Sequence, residues 1–371
     1  MPLKTILHII DTTGPGGAET VFIDLLTQLP TAKFRAVVVI RGKGWVYEEL
    51  CRRGVEPILL DAKGSFNWRF LLGLRKIIKR ERVDLIQSHL LGSNVYASIA
   101  GLITNTPVVA TFHGAVDIGE NERLKGLKFG AINLGARKII AVSDSLCQNV
   151  IARTPLSSKK LMVIYNGIAT AEFQIAPTNR LRQQFGWSKD DIIVGSLGNI
   201  RPAKGYEVLL QAAVLLKQKT SFFRFVIAGQ GSGSLYKSLL KLRHNLDLNE
   251  HVQFLGFNDE PAEFLANLDI FLLSSLTEGF SISTLQAMAS QLPVVVTKSG
   301  GPEEIVTHAE NGWLVEAGDA GAIATALNEL GQNSDLCVKL SKNACDHART
   351  SFDIEAMIGA YGDVYTNLMR S

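Results

Sequence analysis

The sequence predicts an α/β protein of two domains, each a parallel sheet flanked by helices, and three observations carry that prediction. Short, wholly apolar runs such as Ile270-Phe271-Leu272-Leu273 and Val294-Val295-Val296, typical of strands buried on both faces, alternate with stretches of helical periodicity. A length of 371 residues exceeds one ordinary core and suits two domains of about 150 to 200 residues each. The pattern also restarts, because a strand and turn begin again at Asp191 after a mixed stretch from Ala169 to Asn179 that contains Pro177. The boundaries expected are 1–170 with a terminal helix at 355–371 for the first domain and 171–354 for the second.

Composition narrows the class. Hydrophobic residues at 46% and charged ones at 20% are globular values. The four cysteines, Cys51, Cys147, Cys337 and Cys345, have no CxxC or Cys/His ligand spacing, which predicts reduced thiols in a cytoplasmic protein, with no disulfide and no zinc. The apolar run Thr5 to Ile10 is too short for a signal peptide, and no run is long enough to span a bilayer, so a soluble protein is expected. Net charge is +3, yet residues 1 to 170 hold 22 Lys+Arg against 13 Asp+Glu, or +9, which leaves 16 against 22, or −6, for the rest. A basic first half suits a nucleic acid, an acidic polymer or the anionic face of a membrane.

Taken in order, Lys4 to Ile10 is the first strand, and the turn Asp11 to Glu19, with Gly14, Gly16 and Gly17, opens a helix from Thr20 to Leu29. Backbone amides in such a turn can approach a ligand, although a tight connection would read the same way. Ala36 to Ile40 is a strand, Trp45 to Arg53 a helix and Pro57 to Leu60 a short strand. From Asn67 to Arg82, Leu71, Leu74, Ile77 and Ile78 interleave with Arg69, Arg75, Lys76, Lys79, Arg80 and Arg82. This is a crossover helix with a solvated basic face, or one that meets a membrane surface. Leu85 to Ser88 is a strand ending in His89, and Pro107 to Thr111 a strand ending in Phe112-His113-Gly114. A His directly after a buried parallel strand points into the crevice where open α/β sheets bind ligands; the plainer reading is a structural histidine. Positions 120 to 138 mix Leu124, Leu127, Phe129 and Ile132 with Arg123, Lys125, Lys128, Arg137 and Lys138, a second basic and apolar patch. Ile139 to Ser143 is a strand with Ser143 or Asp144 capping the next helix, and Leu161 to Ile164 is followed by the turn Asn166-Gly167.

The second domain opens with the strand Asp191 to Leu197 and the turn Gly198 to Gly205. Arg201 and Lys204 in that turn form a natural diphosphate clamp, Arg as a fork and Lys as a point charge. Phe225 to Ala228 leads into Gly229-Gln230-Gly231-Ser232-Gly233, and Val252 to Phe257 forms the next strand, with no acid at its end to bind an adenosine ribose. Ile270 to Leu273 then delivers Glu278 in a polar turn at the strand's C-terminal end, before a helix that Ser281 or Ser283 caps and Pro293 stops. Val294 to Thr297 returns as a strand, the turn Lys298 to Pro302 brings Glu303 and Glu304 to a helix start, and Ser351 to Met369 is a long terminal helix with Ile354, Met357, Ile358, Tyr361 and Val364 on one face.

An acid, Gly279, an aromatic, a Ser and an aliphatic, then a helix ending near Ala287-Met288-Ala289 and a Gly-Gly-x-x-Glu turn, resemble the donor-sugar motif of glycosyltransferase family 4, retaining enzymes of GT-B fold. Gly16-Gly17-Ala18-Glu19, His113, Asn166-Gly167, the Arg201/Lys204 turn and Gly300 to Glu304 follow in family order, so the resemblance covers nearly the whole chain. Two departures stand out: the second glutamate of the motif is Gln286, and the position of the usual Arg after the first Gly of the clamp is Asn199.

The resemblance implies two facing Rossmann-like domains with the terminal helix crossing back to the first. It implies His113, Glu278, Arg201 and Lys204 at the reaction centre, and donor contacts from Gly16 and Gly17, from Asn199, Gly229, Gly231 and Phe257, and from Gly279, Phe280, Ser281, Ile282 and Gln286. A nucleoside-diphosphate sugar, UDP-glucose first and GDP-mannose next, is the expected donor, with a saccharide or lipid-linked acceptor. The patch at 120–138 is the expected acceptor or membrane face. No nucleic acid and no metal cofactor are expected, as there is no D-x-D pair at a strand end. A sugar-nucleotide epimerase of the same architecture, or a nucleotide-binding protein without activity, are the competing classes.

Overall fold

The structure is a computed structural model that describes residues 3–61, 67–119 and 122–370. Positions 120 and 121 of the basic patch and residue 371 of the terminal segment lie outside the described residues. The chain divides into two compact units, Met1–Gly167 with Glu355–Ser371, and Ile168–Ile354.

The first unit alternates strand and helix: β1 (Lys4–Ile10), α1 (Gly17–Gln28), β2 (Phe34–Ile40), α2 (Trp45–Arg52), β3 (Ile58–Leu59), α3 (Trp68–Arg80), β4 (Leu85–His89), α4 (Leu91–Thr104), β5 (Val108–Phe112), α5 (Lys125–Gly135), β6 (Lys138–Ala141), α6 (Asp144–Arg153) and β7 (Leu161–Val163). Its sheet is parallel in the order β3-β2-β1-β4-β5-β6-β7. Leu7, Ile9, Val39, Ile86 and Val108 form the sheet side of one core layer against Phe70, Leu74, Ile77 and Ile78 of α3. The opposite face of α3 is exposed and carries Arg69, Arg75, Lys76, Lys79 and Arg80, with Arg82 exposed just past its end, which makes it a crossover helix packed by its apolar stripe.

The second unit contains α7 (Arg180–Phe185), β8 (Ile192–Leu197), α8 (Tyr206–Lys217), β9 (Phe223–Ala228), α9 (Gly233–Asn245), β10 (Val252–Gly256), α10 (Pro261–Leu265), β11 (Ile270–Leu273), α11 (Ile282–Ala289), β12 (Val294–Lys298), β13 (Trp313–Glu316), α12 (Ala320–Gln332) and α13 (Ser334–Ser351). Its sheet runs β10-β9-β8-β11-β12-β13, also parallel. Both units are therefore Rossmann-like, with the strand order reversing at the first strand of each.

The terminal segment differs from the single helix expected from Ser351: α13 ends at Ser351 and a separate helix, α14 (Ile354–Arg370), follows after Phe352-Asp353. Ile168 N donates to Phe352 O and Ile354 N to Ile168 O, and this bridge holds the chain extended at the break. Tyr361 and Tyr365 of α14 are fully buried in the first unit. Helix α4 was not expected from the sequence: it buries Ser93, Asn94 and Ser98 beside Val95 and Ala97, so its polar residues face inward and erase the amphipathic signal.

Candidate active site

At the strand-order reversal of the second unit, the turns after β8 and β11 leave in opposite directions and open a crevice beyond the C-terminal strand ends. The turn after β8 closes through a short 3₁₀ stretch, Pro202–Lys204, and Gly205, whose φ of 61° is left-handed and suits glycine, caps α8. The turn after β11 is tied to it by Leu276 N donating to Ala203 O at 2.7 Å and Ser274 Oγ donating to Lys204 O at 3.0 Å.

These ties bring Lys204 and Glu278 together. Lys204 Nζ donates to Glu278 Oε1 at 2.6 Å, and Ser275 Oγ donates to the same oxygen at 2.6 Å. Thr297 Oγ1 donates to Ser275 O at 2.6 Å, while Glu278 N donates to Ser299 O at 2.8 Å, so β12 and its turn fix the acid as well. The Lys204 and Glu278 side chains are 20% and 12% exposed, a charge pair held at the crevice and shielded from bulk water. Ser275 is a site residue that the sequence reading passed over; its three-residue spacing to Glu278 was the available signal.

Arg201 is extended and exposed, and among the described residues it forms no ion pair, which leaves its guanidinium available to a phosphate. Asn199 Oδ1 accepts from Gln230 N at 3.0 Å and so ties the β8 turn to the β9 turn. Gly229 permits that approach, because a Cβ there would lie 1.9 Å from Gly198 O. Gly231 packs under Ile200 and Tyr236, and Phe257 is 44% exposed just past β10, whose Gly256 O accepts from Gly229 N at 2.7 Å. The Phe280 ring is buried 5.7 Å from the Phe352 ring, so what Phe280 can offer a ligand is its main chain. Ser281 caps α11 by accepting from Thr284 N at 3.3 Å, and Ile282 begins that helix. Gly279 leads from Glu278 into this cap, and Gln286 lies buried on the second turn of α11. Glu303 accepts from Ser299 N and Gly300 N, a cap on its own turn at the place where the sequence predicts a helix start.

In the first unit the equivalent crevice lies beyond β1, β4 and β5. Gly16 is the N-cap of α1 and Gly17 its first residue, with Thr20 N donating to Gly16 O at 2.9 Å and Glu19 folded back against Gly16. His113 follows β5 and is half-buried; its backbone N donates to Asp117 Oδ2 at 2.8 Å, and Leu91 N donates to Asp117 Oδ1 at 3.2 Å. His89, at the end of β4, lies with Nδ1 at 2.8 Å from His113 Nε2 and its ring stacked on that of His113. Burial pushes the His113 imidazole down to about 3 and the Asp117 carboxyl up to about 6, so His113 is neutral at physiological pH. His89 and Asp117 were not singled out from the sequence, although His89 obeys the same strand-end rule as His113.

Comparison with known proteins agrees with this architecture. The profile described as Glycosyltransferase Family 4 matches residues 15–172, and the one described as Glycosyl transferases group 1 matches residues 177–347. A lipopolysaccharide core biosynthesis glycosyltransferase, LpsE of Rhizobium meliloti (strain 1021), is 30% identical over 358 residues, 93% of this chain and 94% of that protein. The chain belongs to glycosyltransferase family 4. A UDP-Gal:alpha-D-GlcNAc-diphosphoundecaprenol alpha-1,3-galactosyltransferase of Escherichia coli is 24% identical, covering 81% of this glycosyltransferase and 79% of the E. coli protein. The crystal structure of Anabaena Alr3699/HepE in complex with UDP-glucose superposes with a TM-score of 0.89 at 23% identity, covering 98% and 99% of the two chains, and the fold class is GT-B. Among the described residues, no helix of the glycosyltransferase is long and apolar enough to cross a membrane.

Proposed function

We propose that this glycosyltransferase binds a UDP-sugar, UDP-glucose first, at the β8/β11 crevice and moves the hexose with retention to a saccharide or lipid-linked acceptor in cytoplasmic assembly of a polysaccharide or glycolipid. The observation that carries the reading is the Lys204–Glu278 pair at the strand-order reversal, with Arg201 exposed beside it. Arg201 and Lys204 face the diphosphate and stabilise the charge that develops on it as the glycosidic bond breaks, the work a metal does elsewhere, so activity without a metal ion is part of the proposal. Glu278 accepts a hydrogen bond from a donor-sugar hydroxyl, the amides from Gly279 to Ile282 lie beside it, and Gln286 meets the ribose. Retention needs no protein nucleophile: the acceptor hydroxyl attacks from the leaving-group side, and the departing diphosphate takes its proton. What the chain contributes is positioning and charge. His113 hydrogen-bonds a saccharide at the crevice of the first unit.

The Anabaena complex with UDP-glucose supports the donor, and the diphosphoundecaprenol substrate in the E. coli relative's name supports a lipid-linked acceptor. A surface supports contact with an anionic membrane: Val116, Leu124, Leu127 and Leu134 are 85%, 68%, 73% and 74% exposed, among Arg123, Lys125 and Lys128. Thermal shift against UDP, GDP, UDP-glucose, UDP-galactose and GDP-mannose tests the donor, since a ligand at 100 times its dissociation constant adds about 2.7 kcal/mol of stability. Stabilisation by UDP and UDP-glucose is expected, and stabilisation by the guanosine ligands alone overturns the choice of base.

A further inference from the structure

We propose that a hydrogen-bond relay from Tyr365 through Gln87 and His89 holds His113 as the neutral tautomer protonated on Nδ1, so that His113 acts as a hydrogen-bond donor to a saccharide oxygen and not as a general base. The inference rests on the reading that puts His113 at the reaction centre.

The polarity of the relay follows from one group whose role cannot change. Ser88 O is a carbonyl and only accepts, and it lies 3.2 Å from the Gln87 side-chain amide. That end of the amide is therefore Nε2, and the other end, Oε1, accepts from the Tyr365 hydroxyl at 3.0 Å. Of its two protons, Gln87 Nε2 gives one to Thr111 Oγ1 at 2.9 Å and shares the other between Ser88 O and His89 Nε2, each at 3.2 Å. An N–H on that His89 nitrogen would set donor against donor, so His89 Nε2 carries the lone pair and its proton sits on Nδ1. His89 Nδ1–H then donates to His113 Nε2 at 2.8 Å, which makes Nε2 of His113 an acceptor and places the His113 proton on Nδ1. Among the described residues Nδ1 of His113 has no hydrogen-bond partner, and His113 is half-buried at the crevice.

Burial makes the relay rigid. Gln87, His89, Thr111 and Tyr365 are all fully buried, and Phe22 packs edge-on against His89 at 5.4 Å. Gln87 and His89 share one face of β4 by the two-residue period of a strand, and Thr111 is the register partner of His89 on β5. Protonating His113 would place an Nε2–H against the Nδ1–H of His89, so the relay opposes the imidazolium as burial does. Tyr365 comes from the terminal helix α14, which gives that helix a part in the chemistry besides packing.

Long-range ¹H–¹⁵N correlation spectra of the full-length protein labelled at histidine nitrogen test the relay directly. The pattern expected for both His89 and His113 is a neutral ring protonated on Nδ1, assigned by loss of signals in His89→Asn and His113→Asn. A proton on Nε2 of His113 overturns the proposal, whatever the activity. Release of UDP from UDP-glucose supplies the second arm: His89→Leu, which removes the donor, should lower turnover about 100-fold, the size of losing one oriented hydrogen bond at a reacting centre. His89→Asn places an amide N–H near the Nδ1 position and should recover most of that loss, while UDP affinity stays the same in both. Wild-type turnover in His89→Leu overturns the relay. Wild-type turnover in His113→Ala instead overturns the reading of His113 itself, so the two failures are distinguishable.

Discussion

Replacing Glu278 by Gln removes a charge but keeps the oxygen that Lys204 and Ser275 share, which separates the electrostatics of the pair from its geometry. With the two groups 2.6 Å apart and mostly shielded, an effective dielectric constant of about 20 puts their direct attraction at about 6 kcal/mol. Removing both from water offsets most of this, which leaves a coupling of about 2 kcal/mol. Urea unfolding of the wild type, Lys204→Met, Glu278→Gln and the double variant measures that coupling, and a value under about 0.5 kcal/mol refutes a shielded ion pair. Titration calorimetry with UDP completes the test. Lys204→Met should weaken UDP about tenfold or more, because the cation that meets the diphosphate is gone. Glu278→Gln should bind UDP as well as the wild type or more tightly, because nothing then counters the charge of Lys204. UDP release from UDP-glucose should nonetheless fall roughly 100-fold in Glu278→Ala. Equal weakening of UDP by Lys204→Met and Glu278→Gln would place the carboxylate on the nucleotide and refute this division of labour.

Gln286→Glu should be active and bind UDP as tightly or modestly more so, since a carboxylate adds charge assistance worth on the order of 1 kcal/mol, or several-fold in affinity, whereas Gln286→Ala should weaken UDP; identical calorimetric affinities for all three forms would take Gln286 off the ribose. His8 is fully buried, neither ring nitrogen is hydrogen-bonded among the described residues, and burial lowers it from 6.5 to about 3. The unfolded chain binds the extra proton, so its contribution to stability is present above 6.5 and is lost as pH falls toward 3, about 2 kcal/mol by pH 5. Asp117, raised to about 6 by burial, works in the opposite direction below that pH, and therefore the comparison that isolates His8 is His8→Leu, whose unfolding midpoint should fall less than the wild type's between pH 7 and pH 5. Flotation with anionic liposomes should capture the protein at low salt and release it at moderate salt, given about 1 kcal/mol of surface attraction per basic residue, while Leu127→Glu with Leu134→Glu should leave it at the bottom of the gradient; a protein that never floats rules out the membrane face.

What the sequence by itself determined were features written in neighbouring residues. Ile270–Leu273 was legible as a strand because burial on both faces demands an unbroken apolar run, and Glu278 at its end because open sheets present ligand groups there. The same locality made the basic face of α3, the Ser281 cap and the glycine turns readable, and the order of motifs was enough for the family. Tertiary structure decided everything that depends on which distant groups meet. Lys204 and Glu278 are 74 residues apart and were expected to serve separate parts of one donor, its diphosphate and its sugar, yet they share an ion pair because β8 and β11 are adjacent at the strand-order reversal. Asn199 became a tie between turns and the Phe280 ring became core for the same reason: the neighbours that claim them, Gln230 and Phe352, lie 31 and 72 residues away in the chain. Gln87, His89 and Thr111 are polar residues in buried strands, and α14 brings Tyr365 across 278 residues to hydrogen-bond Gln87, which in turn meets Thr111 and His89. Burial forces a polar group to find a partner, but local sequence does not say from where.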